Sequence, residues 1–267
     1  MSVKRKAYRG WQARLDGAGR RWSGWRKRRH PFYRIYATDW DATFLPELDR
    51  RIAIAPAHRL VWVRVPKAAN STVAWTLWRL LNPGAPSPSG RDEVKRWFTR
   101  PSDLDAQTVQ ALGDFYKFIV VRNPFTRVLA AYLEKAGHRK YGYKIRRRAI
   151  TPGEPPVGFR GFCEYLAAGG VNDDPHWCVQ ARLCPFPIET LDDVAYVESL
   201  QADLARIVAA LAPGRTDPYE LVPALGHATG ASTKVAAYYG EPERRLIAQA
   251  YAEDFERFGY DPERLPG

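Results

Sequence analysis

The alternation of apolar runs with short polar loops sets the plan of this chain. Leu60-Val-Trp-Val-Arg-Val is β-branched and aromatic and stops at Pro66; a polar loop carrying Lys67 follows, and Ser71-Thr72 open Val73–Leu81, an apolar run with helical length and spacing. The plan then recurs. Asp114-Phe-Tyr-Lys-Phe-Ile-Val-Val-Arg122 reads as a strand too continuous to be half exposed, as in the middle of a parallel sheet. Asn123-Pro124 leads from it into helical periodicity over Phe125–Ala136, with Pro124 placed at a first helical position. A third buried strand is predicted over Asp193–Val197. Further helices are predicted from Ser102, as cap, to near Gly113, over Phe159–Ala168, over Leu200–Leu211 and, in one piece, over Glu241–Phe258. Phe44–Ala57 reads as an irregular or short helical lead-in, Asn172–Pro187 and Pro218–Gly240 as loops, and 139–158 as a long connection. Strands followed by helices predict an α/β fold, a central parallel β-sheet flanked by helices.

Both strand–loop–helix units end where such sheets bind ligands. A helix start offers unpaired N–H groups and the positive end of the dipole, so the first unit suits phosphate or a similar anion, with Lys67 adding charge and Ser71 and Thr72 adding hydroxyls. It is not the glycine-rich nucleotide loop: the lysine comes first, and no glycine is present. Arg122, at the end of the second strand, is the residue type for a phosphate that needs several directed hydrogen bonds. Two anionic groups of one nucleotide could therefore be held along one sheet edge.

Charge and composition narrow the choices. The net charge of +12 is local, since residues 1–40 hold twelve Lys/Arg against two acids and 139–148 hold six against none. Such patches attract anionic lipid, nucleic acid or phosphorylated and polyanionic ligands. Four Trp residues interleave the first basic stretch, which suits the surface of an anionic membrane. Of the 267 residues, 1–43 are read as this basic arm and 44–267 as a single domain. Three cysteines, no signal peptide and no run of eighteen apolar residues point to the cytoplasm, with the arm at the inner membrane face. Cys178 and Cys184 near His176 lack metal-ligand spacing, and no metal is expected.

Val121-Arg122-Asn-Pro124-Phe125-Thr-Arg127-Val-Leu-Ala-Ala-Tyr132-Leu-Glu-Lys135 resembles the 3′-phosphate motif of sulfotransferases that use 3′-phosphoadenosine 5′-phosphosulfate. Pro66-Lys67 with Ser71-Thr72 resembles their 5′-phosphosulfate loop, and the order and spacing are similar to the carbohydrate sulfotransferase group, sulfotransferase family 2. His176-Trp177 with Gln180 and Cys184, Tyr196–Leu200, and Asp254-Phe255 with Phe258-Gly259-Tyr260 extend the resemblance over Leu60–Pro262. Two departures stand out: Ala130 where the family usually has a phosphate-binding serine, and Ala68-Ala69-Asn70 where a cysteine is common.

The resemblance implies a nucleoside-triphosphate-hydrolase-like fold and metal-free sulfuryl transfer to a saccharide or glycolipid hydroxyl, leaving adenosine 3′,5′-bisphosphate. Lys67 would stabilise the leaving oxygen, Ala68, Ala69, Asn70, Ser71 and Thr72 would cradle the 5′ end, and Arg122 would hold the 3′-phosphate. Thr126 is a candidate replacement for the lost serine, Arg127 a brace for the motif helix, and His176 the general base, with Glu134, Asp173 and Asp174 as alternatives. Trp177 would stack on a sugar ring or lie in the core, and His227, Thr229, Ser232 and Lys234 lie in the loop that would close over the nucleotide. The competing readings are an atypical phosphotransferase and a nucleic-acid- or polyanion-binding protein using the basic arm; no specific nucleic acid is indicated.

Overall fold

The computed structural model describes residues 19, 22–42, 44–136, 158–213 and 230–266. The first part of the arm, the 139–148 basic stretch, the following 151–157 segment, His227 and Thr229 lie outside the described residues. Four strands, β1 (Ile52–Ala55), β2 (Leu60–Val63), β3 (Tyr116–Val121) and β4 (Asp193–Tyr196), form one sheet in that order. The fold is the expected α/β type. The chain divides into two compact units, Met1–Trp62 with Phe98–Tyr116, and Val63–Trp97 with Lys117–Gly267.

The first unit holds a strand that the sequence pattern missed. Ile52-Ala-Ile-Ala is only four residues long and buried throughout, so it shows no alternation to read; an antiparallel bridge joins Ile54 to Thr99. Phe32, Leu45, Leu48, Leu112 and Trp62 are buried in the same unit, the last with its ring edge-on to Phe98 at 5.8 Å between centroids. Asp49 is the polar centre of this unit. Its carboxylate accepts from Lys27 Nζ at 2.7 Å, from the Tyr33 hydroxyl, and from Ser102 through its N–H at 3.0 Å and its hydroxyl at 3.1 Å. Ser102 is thus engaged here, and the helix expected to start with it begins instead at Ala106, capped by Asp105, which accepts from Thr108 N at 2.7 Å.

In the second unit β3 runs parallel to β4 with Phe118 opposite Asp193 and Val121 opposite Tyr196. The pairing is locked at its start, where Lys117 and Asp192 exchange hydrogen bonds of 2.7 and 2.8 Å. As the last strand in the sheet, β4 is half exposed, with Ala195 alone buried, and so differs from the buried strand expected there. The Asn70–Leu81 helix follows β2, and the Pro124–Ala131 helix follows β3 with Pro124 in its first turn and Asn123 Oδ1 accepting from Phe125 N at 3.0 Å. The predicted single helix over Glu241–Phe258 is two, Glu241–Ala250 and Ala252–Arg257, broken at Tyr251. Tyr251 is fully buried and donates its hydroxyl to the Trp177 carbonyl, an anchor that helical periodicity does not reveal. Ala231–Tyr238, expected as loop, is helical and fastens to the Pro124–Ala131 helix through the hydroxyl of the adjoining Tyr239, 2.9 Å from the Phe125 carbonyl.

Burial pushes the Asp49 carboxyl up, but the hydrogen bonds from Lys27 and Tyr33, the Lys27 charge and the Ser102 N–H outweigh it and hold the group below the usual range. Its stabilisation is present above the ordinary carboxylate pKa and lost as pH falls through the depressed one. Asp49→Asn should lower the unfolding free energy by ~3 kcal/mol at neutral pH. Urea titrations of both proteins should show that difference shrinking below about pH 4.

Candidate active site

The first loop is shaped by its backbone. Lys67 (φ 70°) and Ala69 (φ 50°) are both left-handed, an uncommon conformation for residues with a Cβ. Residues of alternating handedness turn N–H groups toward one side, the concave nest that binds anions. The loop then enters the Asn70–Leu81 helix, so the N–H groups of Asn70, Ser71 and Thr72 belong to a first turn, where no intrahelical acceptor exists. Sequence-predicted Ala68, Ala69, Asn70, Ser71 and Thr72 are therefore together in one loop and helix start.

Lys67 is nearly buried, its side chain 8% exposed, and its ammonium pairs with Glu134, whose other oxygen lies 3.4 Å from Lys135 Nζ. Burial pulls the Lys67 pKa down; the hydrogen bond to Glu134 and its charge push the other way, and Lys135 and Arg127 lower it further. Burial raises the Glu134 carboxyl, but the contacts with Lys67 and Lys135 win and leave it below its ordinary value. Glu134 was weighed in the sequence only as a base. In the fold it is the counter-charge that keeps an ammonium in a dry position.

Arg122 leaves the end of β3 and turns toward the same loop. Its Nη1 donates to the Lys67 carbonyl at 3.3 Å, its Nε to Thr126 Oγ1 at 3.0 Å, and its Nη2 to Ser232 Oγ at 3.1 Å. Thr126 donates its only proton to the Asn123 carbonyl at 3.0 Å, so in this geometry it orients Arg122. Ser232, on the Ala231–Tyr238 helix, is the residue of that helix that meets the guanidinium. Lys234 is exposed, with its side chain folded beside Gly230. The backbone of Arg122 is fixed on both sides by the Gln180 amide, which accepts from its N–H at 2.9 Å and donates to its carbonyl at 2.8 Å. Gln180 is in turn held by buried Asp254, which accepts from Gln180 N and Ala181 N at 2.9 Å. Glu198 completes the frame, accepting from Asn123 N at 2.9 Å and from Tyr260 at 3.0 Å. Burial lowers the Arg122 pKa, with the Glu198 charge opposing the shift.

Arg127 joins the parts of the site. Fully buried, it donates from Nε to the Pro66 carbonyl at 3.0 Å, from Nη1 to the Cys178 carbonyl at 2.7 Å, and from Nη2 to the Pro175 carbonyl at 3.3 Å. One guanidinium thus holds the residue before Lys67 and the residue before His176. The His176 ring places Nδ1 at 2.6 Å from Asp174 Oδ1, which also accepts the His176 N–H at 3.0 Å. Asp174 selects the tautomer with its proton on Nδ1 and its basic lone pair on Nε2. Trp177 is fully buried and donates to the Gly170 carbonyl at 2.9 Å, so of the two roles considered for it the ring takes the core one. Cys178 and Cys184 are buried, with thiols pushed up to about 12 by burial, and neither is poised as a nucleophile. Among the described residues no group of three or more His, Cys, Asp or Glu is set to hold a metal.

Residues 50–261 match the sulfotransferase family. The chain belongs to that family. It is similar to carbohydrate sulfotransferase 10 of Gallus gallus, 27% identical over 250 residues, which span 79% of this chain and 66% of the relative. The Homo sapiens protein of the same name is 26% identical over 247 residues, with 79% and 67% covered. Carbohydrate sulfotransferase 14 of Mus musculus is 27% identical over 181 residues, with 60% and 46% covered. The chain therefore spans about two thirds of the length of the first two relatives, and no solved structure matches it significantly. The matches are to animal carbohydrate sulfotransferases, the Golgi membrane group, and this overturns the cytoplasmic placement and its inner-face corollary. No helix among the described residues is long and apolar enough to cross a membrane, and no compartment follows from that.

Arg127→Met should lower the unfolding free energy by ~3 kcal/mol, because three buried carbonyls lose their donors. Arg127→Lys should recover less than half of the loss, since an ammonium cannot reproduce the planar fork. Denaturant titration of the two variants checks both.

Proposed function

We propose that this chain transfers a sulfuryl group from 3′-phosphoadenosine 5′-phosphosulfate to a hydroxyl of a saccharide or glycolipid acceptor. The observation that carries the reading is the hydrogen bond from Arg122 to the Lys67 carbonyl, which lays the guanidinium against the backbone of the lysine loop and supports one doubly charged nucleotide being held by both residues. Family membership supports the chemistry, and the names of the relatives support the acceptor class. The missing glycines that argue against an ATP-type loop, and the absence of an acidic residue at the ends of β2 and β3, count against a phosphotransferase.

Arg122 holds the 3′-phosphate, and Ser232, which accepts from Arg122, retains a hydroxyl proton to donate in the role that Ala130 cannot fill. The first-turn N–H groups, with Ser71 and Thr72, take the 5′-phosphate and sulfate oxygens. His176 Nε2 removes the proton of the acceptor hydroxyl while Asp174 steadies the imidazolium that results. As the acceptor oxygen bonds to sulfur and the bridging S–O bond breaks, Lys67 neutralises the charge on the leaving oxygen. Lys67 then has two partners in turn: Glu134 at rest and that oxygen during transfer.

Calorimetry with adenosine 3′,5′-bisphosphate should show affinity falling about thirtyfold in Arg122→Ala; equal affinity in the two proteins would sink the assignment. The alkaline limb of kcat/KM should follow the loss of the Lys67 proton. Glu134 raises that pKa, so Glu134→Gln should lower it and move the limb to lower pH. An unmoved limb in pH–rate profiles would remove Lys67 from the step.

A further inference from the structure

Among the described residues, the large apolar side chains left exposed are Trp22, Trp25 and Ile35, at 61%, 50% and 53%, all in one short stretch outside the family match. Residues 22–28 are helical, and Trp22, Trp25, Arg26 and Arg29 share one face by helical spacing. The guanidinium of Arg26 lies 5.1 Å from the Trp22 ring centroid, and that of Arg29 lies 3.6 Å from the Trp25 ring centroid. The opposite face is small and cationic. Gly24 is buried so closely that a Cβ there would lie 1.7 Å from the Ala42 carbonyl oxygen; Lys27 pairs with Asp49, and Arg28 donates to the Thr38 carbonyl at 2.9 Å and to the Trp40 carbonyl.

This order is the reverse of a surface helix, which turns its apolar residues to the core and its charges to water. The inward side is already satisfied by specific contacts, so the outward indoles are not misplaced core residues. They are displayed, each with an arginine laid against it. We propose that this face docks on an anionic bilayer surface. Indole rings settle at the headgroup level, where one side is apolar and the other wet, and the neighbouring guanidinium groups meet lipid phosphates. Charge complementarity extends along the sequence, because residues 1–21 carry seven Lys/Arg against one acid. A soluble acidic polymer would use the arginines without needing two exposed indoles. The inference rests on the arm alone and stands apart from the proposed activity.

The test uses the full chain with phosphatidylcholine vesicles, prepared with and without phosphatidylglycerol. Sedimentation should show binding only to the anionic vesicles. Arg26→Gln with Arg29→Gln should weaken it by about tenfold or more. Brominated lipid should quench tryptophan fluorescence in the native chain and do so much less in Trp22→Phe with Trp25→Phe. All four side chains are exposed, so the variants should keep the native unfolding midpoint, which is measured alongside. Equal binding to both vesicle types, binding unchanged in the arginine pair, or quenching unchanged in the tryptophan pair would each overturn the proposal. So would stronger binding to heparin or single-stranded DNA than to vesicles with no quenching by brominated lipid, which would assign the face to a polyanion in solution.

Discussion

The buried guanidinium of Arg127 is the constraint on which the rest of the site depends. A charge taken wholly out of water is tolerated only when its donors are met, and three backbone carbonyls meet them here. Those carbonyls come from the loop of Lys67 and the loop of His176, segments separated by more than a hundred residues. A planar fork with fixed angles can bind them in only one arrangement. Lys67 and His176 each follow a clamped proline, and their spacing is therefore inherited from a side chain that needs no contact with any ligand.

Around that clamp the charges are arranged in opposed pairs. Lys67 faces Glu134, Arg122 lies in the field of Glu198, and Arg127 in that of Asp254. Burial depresses all three cations, and each carboxylate offsets part of that. Each buried cation is thereby partly balanced within the fold itself. Asp254 shows the limit of the scheme: burial raises its carboxyl even though it accepts three hydrogen bonds from Gln180 and Ala181.

The parts of this architecture that were legible in the sequence share one property: they repeat or persist over many residues. Runs such as Leu60–Val65 and Phe115–Val121, and the helix at Leu200–Leu211, declare themselves through length and period. Ile52–Ala55 did not, because four buried residues have no period, and the break at Tyr251 did not, because it is caused by a partner in another loop. The same division runs through the site. Arg122 sits at a strand end and Lys67 in the loop after a strand, where position helps to mark them, whereas the contacts of Ser232 and Gln180 with Arg122 are made across 110 and 58 positions of sequence and leave no local trace. Glu134 was visible, but its pairing with a lysine 67 positions away was not.

The two left-handed residues of the first loop carry one more consequence. Holding Lys67 and Ala69 at positive φ costs on the order of 1–2 kcal/mol each, and the chain meets that cost when it folds. An anion of the kind proposed for this loop would find amides already aimed, with little ordering left to do on arrival. Glycine would adopt both conformations without strain, but it would also let the loop wander among many others. Side chains at these two positions exchange a little stability for a loop whose shape is narrowed in advance.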